Sequence, residues 1–157
     1  MTDYQRCAAA VLTKAVLCDD LLSDVVARLI TPVETSRAIL RESVLPRMRD
    51  ESRCDLLRQL LEHAQAPENV VRDLPSGLKE LFKLRHRLAH TTPEFDDDPT
   101  RLGLHGFKNG REDPHAYPKT YIDKVETGAF RLLEWLDNIA VQLGAETRLD
   151  FSEIWQG

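Results

Sequence analysis

Arg85, His86 and His90 carry the side chains in this chain best suited to chemistry. On a wheel of 100° per residue, Arg85 falls at about 340° from Leu78. That is the middle of an apolar stripe made by Leu78, Leu81, Phe82, Leu88 and Ala89. Lys79, Glu80, Lys83 and Arg87 lie on the opposite side, where charges are solvated. A guanidinium does not deprotonate to escape burial, so Arg85 needs carboxylates, a phosphate or a wet cleft. The plain explanation is an ion pair with an acid on a neighbouring helix, such as Asp19, Asp20 or Asp24. His86 and His90 are i,i+4 partners, a spacing that also suits a metal, but no third ligand stands nearby and no metal is expected. His90 lies about 140° around the wheel from Arg85. The two converge if the helix ends near Ala89, or if a second subunit packs its copy against the first. A two-fold dimer would gather two of each residue in one composite cleft.

The elements that must position these residues are helical. Val11, Leu12, Ala15, Val16, Leu22, Val25, Val26 and Leu29 recur at helical spacing, which predicts one long amphipathic helix over 8–30. Thr31, Pro32 and Glu34 form a start signal for a second helix, which should run to Leu45 before Pro46. Ser52-Arg53-Cys54-Asp55 is a weaker cap ahead of Leu56, Leu57, Leu60, Leu61 and Ala64, with Pro67 as the stop. The helix that carries Arg85 is predicted to start near Ser76 and to end before Pro93. A last long helix spans 121–143, with Gly144 as its C′ residue. Between these two lies 91–119, an irregular stretch with Pro93, Pro99, Pro114 and Pro118, half of the eight prolines. Stretches of that length are usually functional or disordered. Within it, Lys108-Asn109-Gly110-Arg111 has the sequence of a type I′ hairpin turn. No strand alternation lasts long enough to predict a larger sheet. The expected fold is therefore all-α, a single domain over 1–157 with four to five helices and a long irregular loop before the last.

Composition bounds the function. The chain is 42% hydrophobic and 30% charged, a globular mixture with no apolar run long enough for a membrane-spanning helix. Its N-terminus lacks a basic leader and Lys14 interrupts the apolar stretch, so a signal peptide is not expected. Cys7, Cys18 and Cys54 all sit in helical patterns and read as small apolar residues in a reducing compartment, which points to the cytoplasm. The net charge of -5 counts against general nucleic-acid binding. Locally the balance reverses. Between Arg72 and His90, Arg72, Lys79, Lys83, Arg85 and Arg87 face only Asp73 and Glu80. Arg101, His105, Lys108, Arg111 and His115 follow in the loop, as a strand-guiding surface or as ordinary solvated polarity. Glu94, Asp96, Asp97 and Asp98 stand against such a surface, since they would repel RNA.

Leu84-Arg85-His86-Arg87-Leu88-Ala89-His90 resembles the signature of the HEPN superfamily: an Arg, then a polar residue, then an intervening stretch ending in His. His86 takes the polar place, where Asn is commoner. Two helices before this segment and one long helix after it are similar to the HEPN arrangement, an antiparallel helical bundle. The resemblance implies a dimeric, metal-independent endoribonuclease without cofactors. In such an enzyme His90 would move protons, Arg85 would hold the scissile phosphate, and His86 would orient the motif or assist with the phosphate. Attack by the RNA's own 2′-OH would leave a 2′,3′-cyclic phosphate. Lys83, Arg87, Lys108 and Arg111 are the RNA-contact candidates. The partners implied are a second copy, an RNA substrate and a neutralising or regulatory protein, as in toxin–antitoxin or antiphage modules. The alternative is a non-catalytic HEPN-like module that dimerises and binds a protein or nucleotide, with Arg85 locked on a carboxylate. A third reading is an unrelated four-helix interaction domain.

Overall fold

The computed structural model describes residues 3–90, 92–94, 101–105, 107–108, 111–112 and 115–144. Five α-helices build it: α1 (Asp3–Ile30), α2 (Glu34–Ile39), α3 (Asp50–His63), α4 (Glu68–His90) and α5 (Lys119–Gln142). Their apolar stripes meet in one core. Val11, Leu22 and Val25 of α1 join Leu57 and Leu61 of α3, Leu74, Leu78 and Leu81 of α4, and Ile122 and Leu136 of α5. Burial of each such side chain contributes about 1.5–3 kcal/mol.

The helix starts differ from the sequence expectation in ways that geometry explains. α4 begins at Glu68, directly after Pro67, rather than near Ser76, and it carries Pro75 in its interior. An interior proline loses one ladder hydrogen bond and costs about 3 kcal/mol. The stripe Val70, Leu74, Leu78 and Leu81 is buried on both sides of Pro75, and this burial offsets the loss. α3 starts at Asp50, ahead of Ser52, with no side-chain cap. Its acids Asp50 and Glu51 lie in the first turn, where the helix dipole favours negative charge. Thr31 accepts the Val33 N–H at 3.2 Å, one step before α2 opens.

After α2 the chain widens into a π-turn over Leu40–Val44 and then tightens into a 3-10 turn over Leu45–Arg47. Pro46 supplies the reason, since in α geometry its ring would collide with the carbonyl four residues back. α3 ends in a left-handed residue, Gln65, with the Ala66 N–H on the Leu61 carbonyl and the Gln65 N–H on the Glu62 carbonyl. α5 ends as expected, with Gly144 at φ 90.

α3 and α4 run antiparallel, tied by Lys79–Asp55 at 2.5 Å and Arg85–Asp50 at 2.9 Å. α4 meets α5 at Gly77, where an added Cβ would stand 2.7 Å from a Leu132 methyl. The stretch before α5 holds short strands where irregular chain was expected. β1 (Thr92–Glu94), β2 (Arg101–His105) and β5 (His115–Pro118) form an antiparallel sheet in the order β1-β2-β5. β3 (Phe107–Lys108) and β4 (Arg111–Glu112) pair as a hairpin, with Lys108 opposite Arg111. Strands of two to five residues are too short to show a two-residue period in sequence. Asn109 and Gly110, Asp96 to Asp98, and the tail with Trp155 lie outside the described residues.

Candidate functional site

Arg85 leaves α4 toward α1 and α3 and closes a four-membered ring of charges. Its Nη1 donates to Asp19 Oδ2 at 2.9 Å and its Nη2 donates to Asp50 Oδ2 at 2.9 Å. Arg53 holds the other oxygen of each carboxylate, Asp19 Oδ1 by a short contact and Asp50 Oδ1 at 2.7 Å. Arg53 Nη1 also donates to Ser23 Oγ at 3.2 Å. Two guanidiniums and two carboxylates thus alternate, and each acid bridges both bases. The planar fork of arginine suits this bridging, which lysine cannot reproduce. The Arg85 guanidinium stacks 4.6 Å from the centroid of Phe82, a buried ring one turn earlier.

The ring is graded in burial. The Arg53 side chain is 6% exposed and that of Arg85 is 21% exposed, while Asp19 and Asp50 reach 31% and 39%. Burial works to raise the Asp19 pKa. The hydrogen bonds and charges of Arg53 and Arg85 outweigh it and hold the carboxyl below its ordinary value. For Arg53, burial favours loss of the proton, and the bonds from Asp19 and Asp50 overcome that too.

Behind the ring, Asp24 repeats the motif. It accepts from Arg28 at 3.0 Å and from Arg41 at 2.7 Å, and its carboxyl is likewise held low against burial. A cleft of about 440 Å³ opens beside the ring between α1, the 3-10 turn and the start of α3. Val16, Pro46 and Met48 give it an apolar wall, and Asp19, Asp20, Asp50, Arg41 and Arg53 give it a charged one.

The other candidates lie elsewhere on α4. Lys83 and His86 are exposed and Arg87 is half-buried. Helical periodicity puts positions 83, 86 and 87 on one face, turned away from Arg85. His90 is the last residue of α4 and still lies within it, so the helix runs one residue past the end near Ala89 that convergence with Arg85 would need. The side chains of His90, Lys108 and Arg111 lie outside the described part of the structure. Of the proposed catalytic residues, Arg85 is thus separated from His86 within the protomer. Among the described residues, no group of three His, Cys, Asp or Glu could hold a metal ion. No helix there is long and apolar enough to cross a membrane.

Asp19 was among the partners foreseen for Arg85. Asp50 and Arg53 were not. Their signal was present: Arg53 shares a stripe with Leu57 and Leu61 at i,i+4 and i,i+8, the same misplacement that singles out Arg85. Cys18 and Cys54 are buried, and burial, the main cause, pushes both thiols up to about 12, which makes them inert at neutral pH. Compared with protein-family models, curated proteins and solved structures, the chain gives no match in any of the three.

Proposed function

We propose that this chain is a non-catalytic, HEPN-like helical module that acts by binding a protein partner, with Arg85 as a structural tie. One observation carries the reading: both terminal nitrogens of Arg85 are committed to carboxylates of the same protein. The ring of Arg53, Arg85, Asp19 and Asp50 has no net charge, and on the cleft wall Asp20 and Arg41 add one charge of each sign, with Arg41 already held by Asp24 and Glu34. A phosphodiester would meet two carboxylates where it needs cations, and its capture would break ion pairs that include a nearly buried arginine.

A second reading, the metal-independent endoribonuclease, draws on the outward face of α4. There Lys83, His86 and Arg87 share a side, a basic strip close to the helix end that His90 forms. In that reading the Arg85 ring would be the support of the site rather than its phosphate clamp.

Incubation of a structured RNA pool with wild type, Arg85→Ala and His90→Ala in EDTA separates them. The binding module predicts no cleavage by any of the three and a loss of thermal stability in Arg85→Ala. Cleavage by wild type to 2′,3′-cyclic phosphate ends, abolished in a folded His90→Ala, would overturn the module and establish the nuclease.

A further inference from the structure

α1 is covered unevenly. Residues 21–27 are buried without interruption, because the segment from α2 through the 3-10 turn wraps the side of α1 that faces away from the core. Asp24 shows this directly, bound as it is by Arg41 of the π-turn. That cover stops near Met48. Farther toward the N-terminus the same side of α1 is bare: Ala9 and Thr13 are exposed, Ala10 is half-buried, Val16 is 61% exposed and Leu17 is 48% exposed. Val16 was expected in the core and is not there. Between Arg6 and Asp19 the only charged residue of α1 is Lys14, which is tied to Glu126 of α5 at 2.9 Å. A helix segment with apolar or small residues on nearly every side is normally covered.

The spacing of the bare residues says by what. Arg6, Ala9, Thr13, Val16 and Asp20 follow the alternating three- and four-residue steps of a coiled-coil seam, with Ala10 and Leu17 flanking it. They are also self-complementary about Thr13. In an antiparallel pair with Thr13 on the two-fold axis, Arg6 faces Asp20 of the other copy, Ala9 faces Leu17, and Ala10 faces Val16. Opposite charges meet at both ends and small residues meet large ones between them, as close helix packing requires. We infer that the N-terminal half of α1 is a homodimer seam, in which two copies pack antiparallel with Thr13 at the dyad.

Arg6 and Asp20 also have interactions within their own protomer, so the seam draws on their signs and positions rather than on their being unengaged. From position 6 to 20 the seam runs about 21 Å. A strip of that length and about one helix diameter, about 10 Å, in width covers roughly 200 Å². That is short of the roughly 800 Å² per partner of a stable dimer, so the wall of Pro46 and Met48 beside Val16 must join it. The two Asp20 positions then stand about 21 Å apart along the seam, which keeps the two Arg85 rings apart. This dimer differs from one that would gather both Arg85 and His90 in a single cleft. It also holds whichever reading of Arg85 is correct, because mass and RNA cleavage are measured separately.

The test is molar mass by light scattering and sedimentation over a concentration series of the full chain. Wild type is expected to be a concentration-dependent dimer. Thr13→Lys sets two ammonium groups against each other at the dyad and should weaken it about tenfold or more. Thr13→Ala keeps the seam and should stay dimeric, which separates a seam effect from misfolding. Arg6→Asp alone should weaken the dimer, and Arg6→Asp with Asp20→Arg should restore it. A monomeric wild type, an undiminished Thr13→Lys dimer, or a double exchange no better than the single one overturns the seam.

Discussion

Arg85→Met keeps most of the side-chain stem while removing the guanidinium, so it reads the ring directly. In the substituted protein Asp19 Oδ2 and Asp50 Oδ2 each lose a 2.9 Å donor, yet both acids keep Arg53 through their other oxygens. Those acids are 31% and 39% exposed, so water replaces part of what is lost. The expected cost is about 2 kcal/mol, a drop of roughly 4–8 °C in Tm for a domain of this size. Arg53→Met should cost more, about 3–4 kcal/mol, because Arg53 is nearly buried and Ser23 loses its donor as well. The decisive quantity is the double variant. After either single change each carboxylate retains one guanidinium, and after both it retains none. The loss in the double variant should therefore exceed the sum of the two single losses by about 0.5–3 kcal/mol. Urea titrations followed by circular dichroism at neutral pH measure all four corners of the cycle. If Arg85→Met is as stable as wild type, or if the two changes simply add, the ring is not a structural unit and the committed guanidinium loses its meaning.

Two further outcomes follow from the same geometry. Asp19 and Asp24 have folded pKa values below the ordinary 3.8, because their arginine partners outweigh the effect of burial. Their stabilisation is thus complete above about pH 4 and is lost as the pH falls through the lower folded values. Asp24→Asn should be less stable than wild type at neutral pH, and thermal melts should show that gap closing as the pH falls below the ordinary carboxylate range; a gap that stays constant contradicts the assignment. At the α4–α5 crossing, Gly77→Ala should destabilise by about 1 kcal/mol, since its Cβ meets the Leu132 methyl despite the better helix propensity of alanine. In a Leu132→Ala background the same change should instead stabilise by about 1 kcal/mol, and an unchanged sign in denaturant titrations would show that the close approach is not what glycine serves.

Much of the bundle was readable from local pattern. The long first helix, the final helix with Gly144 as its C′ residue, and the Lys108–Arg111 hairpin pairing follow from periodicity and turn chemistry, which depend on neighbours in sequence. Arg85 was also marked by sequence, because a charge in an apolar stripe is anomalous wherever the helix packs. What sequence could not supply was the other side of each contact. Asp50 and Arg53 join Arg85 only because α3 returns antiparallel to α4 and Asp19 lies on the helix across from both. Pro75 stays inside α4 because tertiary burial of Val70, Leu74 and Leu78 overrides a local penalty that sequence rules count as a break. Val16 reads as core by period and is bare in the fold, since periodicity finds the apolar residues of a helix but not which of them a neighbour reaches. One-dimensional pattern determines where helices form and which residues are out of place. The partners of those residues are settled when helices distant in sequence come within hydrogen-bonding range.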